Sequence, residues 1–153
     1  MDNTAAALKV VKAYMTAMHD WAVRYAKAEG FPLDHPQRSA IGLTQRLTRS
    51  EQMYDSGEHQ KFERQRQRIL RRYCTAIERS SRGDSPGFPN HHPEREVVTK
   101  VRAVSEGRIL VWTDYTREDG FKMRRKYELT HAKKRWRIEQ HYLLDGKEYP
   151  EIY

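Results

Sequence analysis

The stretch EREVVTKVRAVSEGRILVWTDYTREDGFKMRRKYELTHAKKRWRIEQHYLL, from Glu94 to Leu144, decides how this chain folds. Its side chains alternate between apolar and charged in runs separated by turn residues, which predicts four antiparallel strands. Ser105-Glu106 with Gly107 closes the first hairpin, Arg117 to Gly120 the second and Lys133-Lys134 the third. These turns predict Val101 opposite Leu110, Trp112 opposite Arg125 and Leu129 opposite Ile138. The alternation then predicts an inner face of Val97, Thr99, Val101, Ala103, Leu110, Trp112, Met123, Tyr127, Leu129, Trp136, Ile138 and Tyr142. It turns Lys100, Arg102, Lys122, Arg124, Lys126, Arg135 and Arg137 outward, around Val98, Ile109, Val111 and Tyr115. A slip of one residue exchanges the two faces, so the pattern constrains register strongly.

Before the sheet the signals are helical. Thr4 or Asn3 caps a helix running to about Glu29, with Leu8, Val11, Met15, Met18, Ala22 and Tyr25 recurring every three or four residues. Tyr14 and Trp21 widen this stripe, and Gly30 followed by Pro32 ends it. Phe31 to Pro36 is a connector. From Gln37 to Tyr54 the pattern is weaker, with Ala40, Leu43, Leu47 and Tyr54 on one face, and Asp55-Ser56-Gly57 breaks it. A further helix is predicted from about Glu58 to Arg79. Phe62, Ile69, Leu70, Tyr73, Cys74 and Ile77 lie on its apolar side, and Arg64, Arg68, Arg71, Arg72 and Arg79 largely on the other. Ser80 to Pro93 is loop, punctuated by Gly83, Pro86, Gly87, Pro89 and Pro93.

The order of elements predicts an α+β fold: N-terminal helices packed on a curved antiparallel sheet, with helix 1 on its inner face. One domain over residues 1–153 is expected, with a helical half 4–79, a loop 80–93, a sheet 94–146 and a tail 147–153. A chain of 153 residues buries a core without staples. Its net charge of +8, from 29 Lys and Arg against 21 Asp and Glu, favours an acidic protein, nucleic acid or an anionic surface as partner. No run approaches the roughly 20 apolar residues of a membrane span. The N-terminal residues carry no leader pattern, and the lone cysteine, Cys74, fits a reducing compartment. Cytoplasmic residence is therefore expected.

Several stretches resemble the nuclear-transport-factor-two-like immunity proteins of bacterial polymorphic and Rhs toxin systems. They are YMTAMHDW, with Tyr14, Met18 and Trp21; Tyr73-Cys74-Thr75 with Glu78-Arg79; the loop GFPNHHPERE; and the strands bearing Lys126-Tyr127-Glu128-Leu129 and Trp136-Arg137-Ile138-Glu139. The resemblance covers most of the chain and is distributed. It implies a cone-shaped α+β fold, no catalysis, and a protein that binds and neutralises a cognate toxin. The Phe31 to Asp55 region is longer than the family pattern, and His91-His92 stands where a more acidic or aromatic pair is usual. The family supplies no shared binding motif.

The outward basic face is the first candidate site. Its partner-binding residues are expected to be Arg102, Ile109, Val111, Tyr115, Lys122, Arg124, Lys126 and Arg137, holding a toxin of acidic surface. The bland alternative is a solvated surface. Like charges oppose an isologous dimer through this face, so a monomer or weak homodimer is expected. Nucleic acid is the weaker reading, because Tyr115 alone makes a poor stacking platform. A second candidate is an inward polar cluster of Asp114, Arg125, Tyr127 and Gln140, with Trp21 and Thr99 near. There Asp114 would serve as general base, with Tyr127 or His19 as proton partner, in a small-ligand site or an isomerase-like or dehydratase-like enzyme. Its bland alternative is a buried ion pair that fixes the interior. No cofactor and no metal are expected: His91-His92 lacks ligand spacing, and no glycine-rich phosphate loop is present. Arg82-Gly83-Asp84 reads as turn chemistry, and Cys74 as a buried, unreactive thiol.

Overall fold

Helix α1 (Asn3–Ala28) forms where the three-and-four spacing places it, and it buries Val11, Tyr14, Met15, Met18, Trp21 and Ala22 along one stripe. Gly30, at φ 80°, takes the left-handed conformation that stops it. In all, the computed structural model describes residues 3–30, 43–75, 91–117, 120–144 and 147–150. Helix α2 (Leu43–Asp55) overlaps the weaker pattern; it buries Met53 and leaves Tyr54, predicted on the apolar face, 65% exposed. Gly57, also at φ 80°, breaks the chain into α3 (Glu58–Tyr73).

Helix α3 ends six residues earlier than its pattern suggests. Cys74 turns extended, its N–H donating to the Leu70 carbonyl, and Thr75 N–H then donates to the carbonyl of Ile138. The buried cysteine is drawn off the helix by this bridge to the sheet. Arg64, Arg68, Arg71 and Arg72 are exposed as expected, whereas Arg66 is buried with its guanidinium 2.7 Å from Glu63. Ala40, Ile77, Arg79, the Phe31 to Pro36 connector, most of the 80–93 loop and residues 151–153 lie outside the described residues.

The sheet is antiparallel, in sequential order: β1 (Glu96–Ser105), β2 (Arg108–Thr116), β3 (Lys122–Ala132), β4 (Arg135–Leu144) and β5 (Glu148–Pro150). The fifth strand comes from the predicted tail. The α+β class holds, with helices covering one face of the sheet. That face buries Ile109, Val111, Tyr127, Leu129, Trp136 and Ile138 against Ala7, Val11, Tyr14, Met15, Met18 and Leu70. Each such aliphatic side chain withdrawn from water contributes about 1.5–3 kcal/mol.

Register departs from expectation in two hairpins. Val101 faces Val111, not Leu110, and Trp112 faces Lys126, not Arg125, while Leu129 does face Ile138. The first loop is Glu106-Gly107, with Ser105 opposite Arg108. Each hairpin is displaced by one residue, and β2 therefore presents the opposite face to the helices. Of three irregularities, one of them between Ala103 and Ser105 beside the first turn, two complete the change. A shift at Thr99 in β1 puts Val98 and Val101 on the same side. A shift beside Glu139 in β4 sends His141 inward and Tyr142 outward. The third turn is as predicted, with Lys133 and Lys134 both at positive φ.

Candidate functional site

Inside the sheet, Glu96 is the centre of a buried polar cluster. Its Oε1 accepts from Arg125 Nη1 at 3.0 Å and from His91 Nδ1 at 2.9 Å. Its Oε2 accepts from Thr113 Oγ1 at 2.7 Å and from Tyr127 Oη at 2.5 Å. Four donors meet the four lone-pair positions of one carboxylate. Burial works against its charge, yet Arg125 and then His91 and Tyr127 outweigh that effect and hold the carboxyl down at about 2. Burial, reinforced by the negative charge of Glu96, pushes the Tyr127 hydroxyl well above its ordinary value. The hub reaches the helical layer through His19, whose Nδ1 donates to the His91 carbonyl at 2.9 Å. Tyr14 Oη lies 3.2 Å from His141 Nε2 beside it.

This cluster contains only part of the predicted inward set. Arg125 and Tyr127 are in it. Asp114 is not: it points outward, 3.3 Å from the exposed Arg124 guanidinium. Gln140 also points outward, donating to the His141 carbonyl. Thr99 is exposed at the bulge. Trp21 is buried among Ala22 and Ala26, its indole N–H donating to the Phe62 carbonyl at 2.8 Å. The acid that answers Arg125 is Glu96, at the head of β1; Glu96, Thr113 and His141 were not singled out in the sequence, and His91 was weighed there as a metal ligand rather than as the partner of a carboxylate. The one available signal was that Arg125 and Tyr127 face inward and need a buried acceptor. A carboxylate so fully hydrogen-bonded takes up no proton near neutrality, so the cluster is chemically suited to locking strands together. A recess of about 430 Å³ between α1 and β1, lined by Lys12, Met15, Pro93 and Val98 among others, reaches the edge of Glu96.

The opposite face of the sheet is open. Ile109, Val111 and Tyr115 are not on it. They are buried in the interior, at 1%, 0% and 2% exposure, because β2 is turned over relative to the predicted phase. Val98 is likewise turned inward. Arg102, Lys122, Arg124 and Arg137 do stand on the outward side, as does Lys126, which is largely covered by its neighbours. Leu110, Trp112 and Tyr142, predicted to be inside, are the apolar groups of this face, and Val97 at its edge is 56% exposed. One row crosses the strands as Lys100, Trp112, Lys126 and Tyr142, each opposite the next. Lys100 Nζ lies 5.0 Å from the centre of the Trp112 ring, and Lys126 Nζ 4.7 Å from that of Tyr142. Such ammonium–ring contacts are favourable and hold the rings flat against the sheet.

Acids on this face sit mainly at Lys126 and Arg108. Lys126 Nζ is 2.5 Å from Glu148 and 3.6 Å from Glu128, and Arg108 is 2.7 Å from Glu128. Among the described residues, no carboxylate stands within ion-pair distance of Lys100, Arg102, Lys122 or Arg137. The surplus of positive charge is thus concentrated around Trp112 and Leu110.

Among the described residues no helix is long and apolar enough to cross a membrane, and no group of His, Cys, Asp and Glu is placed to hold a metal ion. His91 turns inward while the His92 ring lies 4.4 Å from that of His19. Comparison with family models, curated proteins and solved structures returns no match.

Proposed function

We propose that this chain is an immunity protein that binds an acidic toxin domain through the open face of its sheet and neutralises it by occlusion. The observation that carries this reading is the row of Lys100, Trp112, Lys126 and Tyr142 on a face that none of the described helices covers, with surplus positive charge. Aromatic and basic groups around a small apolar centre are the side chains that dominate binding energy at protein interfaces. The surrounding arginines accelerate encounter with an acidic partner, and the desolvated aromatic centre slows release. The resemblance to cone-shaped immunity proteins supplies the class of partner and a cytoplasmic setting.

The alternative of a ligand-binding or acid–base cavity loses support on chemical grounds. Its intended base, Asp114, faces solvent beside Arg124, and the acid that is inside, Glu96, has every acceptor position engaged. The recess beside α1 is the place such a ligand would occupy.

The deciding experiment is co-expression with toxic effector domains, beginning with any that the gene adjacent to this one encodes. Protection of the cells, and its loss in an Arg102→Glu, Lys122→Glu, Arg137→Glu triple variant with unchanged circular dichroism, is the expected result. Full protection by the triple variant would sink the proposal that this face does the binding.

A further inference from the structure

The two lysine–aromatic pairs of the open face differ in one respect. Lys126, over Tyr142, already holds a carboxylate: Glu148 reaches across β4 to it at 2.5 Å, and Glu128 stands at 3.6 Å. The chain itself thus shows that this kind of pair receives an acid. Lys100, over Trp112, has no such carboxylate among the described residues. Beside Trp112 lies a depression of about 350 Å³, walled by Lys100 and Trp112 on one side and by Asp114, Arg124 and Leu144 on the other. The one acid in its wall, Asp114, pairs with Arg124 at 3.3 Å; the arginine side chain is largely exposed and the aspartate about half. An exposed pair of this kind is worth little and yields readily to a better-placed carboxylate.

We infer that the depression between Lys100, Trp112 and Arg124 is the anchor seat for one acidic side chain of a protein partner, its carboxylate between the two cations. This deepens the partner-binding reading above and rests on it. Leu144 and the Trp112 ring line the seat, and a carboxylate there gains from both charges. A nucleic-acid strand, stacking a base on Trp112 with a phosphate on Lys100, is the competing occupant. The geometry favours the acid. Trp112 is covered on its outer side by the Lys100 ammonium, and the neighbouring ring, Tyr142, is covered by Lys126, so neither offers an open surface for stacking.

The test uses the full chain and follows the Trp112 indole N–H resonance, assigned by its disappearance in Trp112→Phe. The probes are a peptide of alternating glutamate and leucine and an oligothymidylate, each at physiological ionic strength. The inference expects the peptide to shift the Trp112 resonance saturably. Lys100→Ala should weaken binding about tenfold and Arg71→Ala, a matched charge loss on α3, by less than about twofold. Peptide binding that is unaffected by Lys100→Ala but weakened by Arg102→Glu and Arg137→Glu overturns the anchor and leaves the face reading intact. Tighter, steeply salt-dependent binding of the oligothymidylate overturns both. A Trp112 resonance that stays still with the peptide at millimolar concentration overturns the anchor.

Discussion

Arg125 Nη1 stands 3.0 Å from Glu96 Oε1, and both side chains are completely closed off from water. The two residues lie on β3 and β1, with Thr113 of β2 joining the same carboxylate between them. A buried pair of this kind adds little over a well-packed apolar pair, but removing one member strands the other charge. Arg125→Met should therefore destabilise the fold by about 3–5 kcal/mol, and Glu96→Leu by a similar amount. The Glu96→Leu, Arg125→Met double variant should be less destabilised than the sum of its singles. Urea unfolding of the four proteins measures this, and simple additivity would show that the pair does not act as a unit.

Acid should unfold the protein through the same carboxylate. Glu96 is held at about 2 against an ordinary 4.5. A carboxyl lowered in the folded state binds fewer protons there than in the unfolded chain. Its stabilisation is thus complete above about pH 4.5 and is lost as pH falls towards 2. The difference corresponds to roughly 3 kcal/mol. Unfolding free energy measured from pH 6 down to pH 2 should fall by about this amount more in wild type than in Glu96→Gln. Parallel curves for the two proteins would remove Glu96 from the account.

The phase of β2 has its own test. Ile109→Ala opens a cavity in the interior and should cost about 2–5 kcal/mol, while Leu110→Ala, on the open face, should cost about 1 kcal/mol or less. Ile109→Lys should not fold, and Leu110→Lys should. Thermal melts of the four variants suffice, and a Leu110→Lys that fails to fold would mean the strand is turned the other way.

That strand marks the boundary of what the sequence made legible. Helix α1 was readable because only one of its faces is apolar. In β2 both faces are: Ile109, Val111 and Tyr115 alternate with Leu110 and Trp112, and hydrophobicity alone does not choose between them. The choice fell to the turns, and each of the first two was displaced by one residue. The irregularities at Thr99 and beside Glu139 have no compositional mark, since neither involves glycine or proline. On β3 the alternation of Arg124, Lys126 and Glu128 with Arg125, Tyr127 and Leu129 was assigned to the correct faces. The inward Arg125, a cation among apolar groups, was the visible sign of the hub. Its partner stayed hidden because Glu96 sits among Glu94 and Arg95 at the start of a strand, where a charged residue ordinarily faces solvent.

The last hairpin offers a stabilising change. Lys133 and Lys134 adopt φ of 53° and 67°, a conformation that disfavours side chains with a Cβ and suits Asn-Gly. Lys133→Asn with Lys134→Gly should raise stability by about 1 kcal/mol. The melting temperature of the double variant checks this, and a lower value than wild type would mean the two lysines contribute contacts that outweigh the backbone strain.

Because α1 and α3 lie against the same side of the sheet, odd and even positions along a strand answer to separate demands. Val111 is fixed by what surrounds it, while Trp112 beside it stands on the outer face, outside the packed interior. Exterior groups along the strands can therefore be exchanged one at a time without reopening the question of how the molecule folds.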